Sequence, residues 1–552
     1  MMWWRVCARC SLILLLIGVG SGAPARASGQ DAEWRYQRLD LTVAIEPSSA
    51  RLEIQGHGVF EVIAGVATEL PLGVNTRMPA LRFEHVTTPR VGSQVEIVAE
   101  PPLHRARIVL DRPLTRGDNI EVEFKLIWSA PSSQLILRDS IALASWVEAW
   151  YPIPLGAGDA MRQWAAPGRT RFHLPPGWRA VTNGRLLSSE LGDDSSSVEV
   201  WEATEPVHRS FAAGPYRVAR TSSGGRDFGV YLLRADTAAA RRQAAVLEQA
   251  IAAMERVWGP YPYAGYAIAE VPDSAVTWGA SSEQGFIMAT TQQFGASGNL
   301  PLFAHEAAHA WWGNRVSTTG AGSQLVSESL AQYGAVLAIE AIEGTDAMNE
   351  FLRYSRTGYN QFQSAHGYFE IIRRGGDKPL AELSNGQWDH DLADSKGHWF
   401  YHMLRHRVGG DLFFGVLRAL QRDFAGRAMA LDDVRAAFAH AVPADPDLPQ
   451  FMAQWLDRTG APVLDHSWWA TGRGRVAQLR IRQTQPSLYD LAVEVEIELL
   501  NGHRVRRTVR LTEREQTFDL PVHARPVDLR IDPDYRLLHW RPEYGPPPSV
   551  EG

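Results

Sequence analysis

The segment HEAAH at residues 305–309 brings two imidazoles and a carboxylate together at a spacing that suits metal chemistry. Apolar residues at helical intervals predict a helix over residues 302–312, which places His305 and His309 one turn apart on the same face. Both rings can then bind one Zn²⁺ at about 2.0–2.1 Å. Glu306 can face a water molecule instead of the metal, as a general base requires. The motif therefore predicts metal-assisted hydrolysis.

A catalytic zinc ion needs a third protein ligand and an open fourth position. Glu328 can supply that ligand, because it lies in the segment LVSESLA, which otherwise has the composition of a buried helix. A carboxylate on an apolar helix is costly unless it is paired or binds a metal. We therefore predict one zinc ion per chain, bound by His305, His309 and Glu328, with Glu306 as the catalytic base. The alternative is that the histidines are ordinary helix residues and Glu328 lies at the surface.

Three regions of different sequence pattern must position these residues. Residues 33–217 contain short runs in which apolar and polar residues alternate, separated by turn-forming residues. This pattern predicts an antiparallel, sandwich-like β domain. Strands mixed with long helices follow, including alanine-rich residues 235–257, and this mixture is typical of an α+β domain. Segments towards the C-terminus in which apolar and polar residues alternate predict a small β-sandwich. The predicted domains are 28–220, 221–462 and 463–541, followed by a flexible tail at 542–552.

Composition restricts the classes of protein to consider. The chain has 552 residues, more than a single hydrophobic core supports, so several domains are expected. Its net charge of −7 provides no basic surface, so we expect no nucleic-acid partner. Cys7 and Cys10 are the only cysteines and both precede residue 28, so any metal in the remaining chain must be bound by His, Asp or Glu.

Residues 1–27 are typical of an export signal. Arg5 and Arg9 precede the apolar run SLILLLIGVG, and the sequence ARA at 25–27 offers a cleavage site. We therefore predict an exported, periplasmic or extracellular protein that begins near Ser28; an uncleaved membrane anchor is the alternative. No later stretch is expected to be long and apolar enough to cross a bilayer, so stable membrane insertion is not expected after cleavage.

The sequence resembles the membrane alanyl aminopeptidase family of zinc peptidases, one of the gluzincins. Residues 305–316 (HEAAHAWWGNRV) and 327–331 (SESLA) resemble the family's H-E-x-x-H-x-W-aromatic-G-N-x-V and N-E-G-F-A blocks. The motifs GPYPY at 259–263 and VPD at 271–273 resemble two upstream landmarks. The resemblance implies a saddle-like N-terminal β domain, a thermolysin-like catalytic domain and a C-terminal β-sandwich, without the large helical domain of many members. It also implies peptide substrates and removal of N-terminal residues.

A further motif concerns substrate binding. The segment GASSEQG at 279–285 resembles a degenerate form of the family's G-A-M-E-N motif, with one extra residue and Gln in place of Asn. In the family, the glutamate of this motif binds the free α-amino group of the substrate. The resemblance therefore assigns that role to Glu283, through a charge-assisted hydrogen bond. The alternative is that Glu283 is an ordinary loop carboxylate.

One position departs from the family pattern. The family has a tyrosine two residues before a Lys-Gly pair, where it stabilises the tetrahedral oxyanion, but this chain has Asp394 there. An ionised carboxylate cannot donate a hydrogen bond, and loss of one oxyanion donor costs about 10²–10³ in rate. Tyr359 or Tyr368 could replace it, the enzyme could be slow, or the chain could bind zinc and peptides without turnover. An endopeptidase on the same fold is a further alternative if Glu283 points away from the metal.

Overall fold

The computed structural model describes residues 32–74, 81–100, 103–128, 135–138, 140–156, 163–223, 226–233, 237–276, 279–294, 299–355 and 361–548. The predicted export signal lies outside the described residues. The chain divides into two compact units, one formed by Met1–Glu248 with Tyr261–Asn299 and the other by Gln249–Pro260 with Leu300–Gly552. The three domain limits predicted from the sequence stay a prediction.

The first unit is built from strands. They are β1 Glu33–Glu46, β2 Arg51–Ala64, β3 Val66–Val74, β4 Arg82–Thr87, β5 Ser93–Glu100, β6 Leu103–Thr115, β7 Asn119–Trp128, β8 Leu135–Arg138, β9 Ile141–Ala144, β10 Ile153–Pro154, β11 Ala166–Leu174, β12 Arg179–Thr182, β13 Arg185–Leu191, β14 Ser197–Val207, β15 Phe211–Gly214, β16 Arg217–Ser223, β17 Arg226–Leu232, β18 Gly265–Val271, β19 Ala280–Glu283 and β20 Phe286–Thr290. The β-rich character predicted for this region is confirmed.

The first fifteen strands form three sheets. A seven-stranded sheet has the order β13-β14-β11-β1-β2-β7-β4, and two four-stranded sheets have the orders β10-β3-β6-β5 and β12-β15-β9-β8. Strand β1 illustrates how the sequence sets the buried face. Trp34 and Tyr36 are buried, and then the alternation shifts to Leu39 and Leu41, because a β-bulge lies between Tyr36 and Arg38.

The remaining strands of this unit form a five-stranded sheet in the order β16-β17-β18-β20-β19. Strands β17, β18 and β20 are parallel, whereas β19 is antiparallel at the edge and ends at Glu283. Helix α1, Thr237–Trp258, connects β17 to β18. Parallel neighbours need a long crossover of this kind, and the predicted helix over 235–257 supplies it.

The second unit is mainly helical. Its further helices are α2 Leu300–Ala308, α3 Ser323–Val326, α4 Glu328–Glu343, α5 Thr345–Arg353, α6 Ala365–Arg373, α7 Asp389–Leu392, α8 His398–Val408, α9 Gly410–Asp423, α10 Leu431–Ala441 and α11 Leu448–Leu456, with a π-helical turn at Ala393–Gly397. The short strands β21 Ser317–Thr318 and β22 Ala428–Met429 pair in parallel.

Two three-stranded antiparallel sheets follow α11. Their strands are β23 Leu464–Thr471, β24 Val476–Gln483, β25 Leu491–Leu499, β26 Arg504–Leu511, β27 Glu515–Pro521 and β28 Pro526–Ile531, in the orders β23-β24-β27 and β26-β25-β28. The predicted return to β structure near the C-terminus therefore agrees with the observed strands.

Two predicted helices have different bounds. The helix expected over 302–312 ends at Ala308, because the chain turns back at Gly313, whose φ is +105° and whose N–H donates to the carbonyl oxygen of Val316. The helix expected over 325–342 is broken at Ser327, where ψ is −77°, so Glu328 becomes the first residue of α4. The break places a carboxylate at a helix N-terminus, where the helix dipole favours negative charge.

One segment corrects an expectation about the membrane. An 18-residue window of the helical segment Ser323–Glu343 has a mean hydropathy of 1.2, so by length and composition the segment could cross a bilayer, contrary to the sequence-based expectation. However, 72% of this apolar window is buried inside the protein. A helix that packs against its own chain on most sides is apolar for that reason alone.

Candidate metal centre

His305 lies in helix α2, His309 directly follows the end of that helix, and Glu328 lies in helix α4. A glycine sets the distance between the two helices. A Cβ atom on Gly334 of α4 would lie 2.5 Å from Cβ of Ala308 in α2 and 2.8 Å from Cη2 of Trp258. Real Cβ contacts are not that short, so only glycine allows this approach. The close packing of the two helices brings His305 within reach of Glu328.

Replacement of Gly334 by Ala should therefore destabilise the protein, although alanine is the better helix former. The added methyl group overpacks the contact with Ala308, and overpacking typically costs about 1–3 kcal/mol, against a gain of about 1 kcal/mol in helix propensity. We expect the free energy of unfolding in denaturant to fall. Gly415→Ala is the matched control, because nothing lies within 4 Å of its added Cβ in α9. Equal stability of the two variants would contradict the close approach.

The three predicted ligand atoms converge on one point. Nε2 of His305 and Nε2 of His309 are 3.2 Å apart, and Oε2 of Glu328 lies 3.5 Å from each of them. Ligands about 2.0–2.1 Å from a tetrahedral zinc ion are about 3.3–3.4 Å from one another. The observed triangle therefore has the size of one face of a zinc coordination tetrahedron, and the prediction of Glu328 as the third member of this cluster agrees with the geometry.

The other nitrogen of each ring faces an acceptor. Nδ1 of His305 lies 2.9 Å from Oε1 of Gln332, and Nδ1 of His309 lies 3.0 Å from the carbonyl oxygen of Trp312. In the neutral, metal-binding form of each ring, Nδ1 would carry the hydrogen and donate it, which would leave a lone pair on Nε2. Two such lone pairs and a carboxylate oxygen that face one another repel unless a proton or a metal cation lies between them. The donor set fits a divalent metal ion.

Gln332 should tune the affinity of the centre without binding the metal. Replacement by Met removes the acceptor of the His305 N–H while nearly preserving the side-chain volume. Loss of such an outer partner typically weakens metal binding by about 10–100-fold. We expect a decrease of that size in competition with a chelating indicator. Gln478→Met, at an exposed pair with Asp519, is the control that should not change zinc affinity; an unchanged affinity in Gln332→Met would exclude this orienting role.

The ionisable groups at the centre shift one another's pKa values. Burial lowers the pKa of the His309 imidazole, but the neighbouring Glu328 carboxylate outweighs burial and raises that pKa to about 9. Burial opposes ionisation of Glu328, yet His309 and His305 hold its pKa well below the usual range. The carboxylate is therefore ionised, as a metal ligand must be.

Glu306 lies next to the ligands and is only 7% exposed. Burial raises the pKa of its carboxyl group, and the nearby imidazoles of His305 and His309 counteract part of that effect. A carboxylate with a raised pKa is a stronger proton acceptor, which suits a general base. The catalytic role of Glu306 stays a prediction.

The structure also brings two residues to the centre that sequence reasoning did not combine. Nδ1 of His390 lies 3.4 Å from Oε2 of Glu328, and its Nε2 lies 3.4 Å from Oδ2 of Asp394. Burial lowers the pKa of His390, but Asp394 and then Glu328 outweigh it and raise the pKa to about 9. The i,i+4 spacing of His390 and Asp394 was the available sequence signal. Asp394, which the sequence showed only as the residue in place of the family's tyrosine, is thus part of a polar pair with His390.

The two tyrosines considered as replacements have different outcomes. Tyr359 lies outside the described residues. Tyr368 is fully buried, and its hydroxyl donates to Oδ2 of Asp377 at 3.0 Å while Nζ of Lys396 lies over its ring. Its hydroxyl group is therefore already engaged in the interior, which argues against the suggestion that Tyr368 replaces the missing donor.

Glu283 belongs to the first unit and is only 1% exposed. Its carboxylate accepts hydrogen bonds from the hydroxyl groups of Ser145 at 3.0 Å, Ser210 at 2.6 Å and Ser281 at 3.0 Å. The substrate-binding role of Glu283 stays a prediction.

Two imidazoles and a carboxylate that meet at two packed helices, with a buried carboxyl group beside them, are the arrangement typical of the zinc metallopeptidases known as gluzincins. Residues 249–455 match the sequence profile of the peptidase family M1 domain. The chain therefore contains a peptidase family M1 domain, and the resemblance inferred from the motifs is confirmed.

Similar proteins support the same class. Aminopeptidase N from Lactococcus lactis subsp. lactis is 26% identical over 172 residues, which is 30% of this chain but only 19% of that protein. The crystal structure of Legionella pneumophila aminopeptidase A in complex with aspartic acid has a TM-score of 0.65 and 15% identity, over 92% of this chain and 59% of that one. An M1 zinc metallopeptidase mutant from Deinococcus radiodurans has a TM-score of 0.59 and 16% identity, over 78% of this chain and 96% of that one. The β-rich N-terminal region and the helical part thus share the fold of M1 aminopeptidases.

Proposed function

We propose that this protein is a zinc-dependent aminopeptidase that removes N-terminal residues from peptides, with one zinc ion per chain. The observation that carries the proposal is the triangle of His305 Nε2, His309 Nε2 and Glu328 Oε2, with edges of 3.2 and 3.5 Å. The buried carboxyl group of Glu306 beside it supports hydrolysis over mere metal storage.

The residues of the chain divide the chemistry among them. A zinc ion bound by the three ligands supplies Lewis acidity, which polarises a carbonyl group and makes a water molecule easier to deprotonate. Glu306 accepts a proton from the attacking water and later delivers it to the leaving nitrogen. The water oxygen bonds to the carbonyl carbon and the C–N bond breaks, so a peptide and water give a carboxylic acid and an amine.

The choice of aminopeptidase rests on the resemblance that assigns Glu283 to the substrate amino group, and on the aminopeptidases among the similar proteins. One observation favours an endopeptidase instead. Three serine hydroxyls already donate to the carboxylate of Glu283, so its lone pairs are largely used within the protein. If they are not displaced, the enzyme has no reason to require a free amino group.

Hydrolysis of matched substrates distinguishes these functions. Aminoacyl p-nitroanilides and their N-acetylated forms should be incubated with the zinc-loaded protein, with and without a chelator. An aminopeptidase releases p-nitroaniline only from the free forms and stops when zinc is removed. Equal cleavage of N-acetylated peptides would favour the endopeptidase. Stoichiometric zinc without turnover of either form would leave a zinc- and peptide-binding envelope protein.

We further propose that the protein acts in the periplasm or outside the cell. This proposal is supported by the leader-like sequence of residues 1–27, in which Arg5 and Arg9 precede an apolar run. N-terminal sequencing of the protein from an envelope or medium fraction should start near Ser28. A start at Met1 in a membrane fraction would indicate an uncleaved anchor.

A further inference from the structure

His390 lies beside the three predicted ligands and, with Glu328 and Asp394, belongs to a second group of side chains that could hold a metal ion. Its Nδ1 is 3.4 Å from Oε2 of Glu328, the same oxygen that faces His305 and His309. Within the described residues, His390 does not join the cluster that these three form; it clusters with Glu328 and Asp394. The imidazole is 26% exposed, whereas Asp394 is fully buried. The ring is therefore partly exposed to solvent, whereas the carboxylate beside it is not.

Asp394 lies on the inner side of this ring. Its Oδ2 lies 3.4 Å from Nε2 of His390 and accepts a hydrogen bond of 2.9 Å from Nε2 of Gln363. Its Oδ1 has no hydrogen-bond partner in the described part of the chain. Asp394 lies in the π-helical turn Ala393–Gly397, and such turns often occur at functional sites. A buried carboxylate that accepts a hydrogen bond from Gln363 and lies near an imidazole nitrogen is well placed to orient that imidazole.

The outer side of the ring presents a donor. Each nitrogen of His390 lies 3.4 Å from a carboxylate oxygen, an arrangement that suits a ring with a hydrogen on both nitrogens. Both distances exceed the 2.7–3.2 Å of an ordinary N–H···O hydrogen bond. The N–H at Nδ1 is therefore close to Glu328 but not committed to it. Catalytic hydrogen bonds are often long in a free enzyme and shorten when substrate binds.

Peptide hydrolysis requires such a donor. When water adds to the carbonyl carbon, negative charge develops on the carbonyl oxygen, and a preorganised N–H or O–H group stabilises it. Glu306 and Glu328 are acceptors, Asp394 is a carboxylate, and the hydroxyl of Tyr368 is bound to Asp377. Among the described residues in contact with the metal-binding carboxylate, His390 has both the donor and the exposure.

We infer that His390 donates a hydrogen bond from Nδ1 to the carbonyl oxygen of the substrate during hydrolysis, and that Asp394 is its positioning residue. This inference rests on the proposed function. His390 keeps its proton throughout; the transferred proton passes from water to Glu306 and then to the leaving nitrogen. His390, four residues before Asp394, thus supplies the donor, because the Asp394 carboxylate can orient an imidazole but cannot itself donate a hydrogen bond.

The test compares His390→Ala with His390→Asn, whose amide N–H lies near the place of Nδ1. His390→Ala should lower kcat/KM for an aminoacyl p-nitroanilide by about 10²–10³-fold. His390→Asn should recover part of that loss, and Asp394→Asn should show a smaller decrease, mainly in kcat. Zinc affinity, measured with a chelating indicator, should stay within about threefold of wild type in all three. His440→Ala, an exposed histidine of α10, is the control.

A second readout does not depend on turnover. A phosphonate analogue of the hydrolytic intermediate should bind His390→Ala more weakly by the same factor as the loss in kcat/KM, while a substrate-like competitor binds equally well. Loss of zinc affinity in His390→Ala would overturn the inference and make His390 a support of Glu328. A kcat/KM within about threefold of wild type would also overturn it. Absence of turnover in the zinc-loaded wild type would overturn the proposed function, and this inference with it.

Discussion

Replacement of Glu306 by Gln should leave zinc bound to the protein and lower kcat by roughly 10²–10⁴-fold, the usual contribution of a general base. Glutamine has the size of glutamate but cannot accept the proton of the attacking water. The side chain is 7% exposed, so an isosteric replacement is needed to avoid a cavity. Steady-state hydrolysis of an aminoacyl p-nitroanilide and metal analysis of the same sample measure the two parts of this prediction.

The control for Glu306→Gln is Glu513→Gln, which makes the same chemical change at an exposed position. It should behave as wild type in both measurements. Full activity of Glu306→Gln would exclude Glu306 as the base. Loss of zinc together with activity would instead mean that Glu306 supports the ligands, and the decrease in kcat would then carry no information about proton transfer.

Replacement of Glu328 by Gln should remove zinc from the centre and abolish hydrolysis. The carboxylate oxygen 3.5 Å from each imidazole Nε2 becomes a neutral amide oxygen, a much poorer ligand for Zn²⁺. Because loss of an outer partner already weakens metal binding by about 10–100-fold, loss of a direct ligand should weaken it by on the order of 100-fold or more. Metal analysis after dialysis against a weak chelator measures this directly.

A thermal measurement gives an independent check of Glu328→Gln. A ligand that binds only the folded state raises its stability by an amount that grows with ligand concentration. Zinc should therefore raise the Tm of the metal-free wild type but hardly that of Glu328→Gln. Glu343→Gln, at the exposed end of the same helix, should respond like the wild type. Equal zinc stabilisation of all three proteins would place the ion elsewhere.

The parts of the site that the sequence predicted are those that depend on local geometry. His305 and His309 are one helical turn apart wherever that helix lies, and Glu306 follows from the same turn. Glu328 could be predicted because a carboxylate among apolar residues needs a reason to be there. The class of fold followed from the alternation of 33–217 and the later helical spacing, and the β-rich and helical regions match it.

The parts that the sequence did not predict depend on tertiary contacts. The approach of His390 to Glu328 requires α7 and its π-helical continuation to pack beside α4. The periodicity of apolar residues in the sequence does not indicate such a contact. The serines that donate to Glu283 come from distant positions in the chain, 145 and 210. The break at Ser327 also escaped notice, because the apolar pattern continues across it.

The location of a zinc ion in crystals of the zinc-loaded protein tests the central claim most directly. Diffraction data collected on both sides of the zinc absorption edge would show where the metal binds. We predict a single anomalous peak about 2.0–2.2 Å from Nε2 of His305, Nε2 of His309 and a carboxylate oxygen of Glu328. A peak at another place, or a Glu328 carboxylate that stays beyond about 3 Å from the ion, would contradict the account.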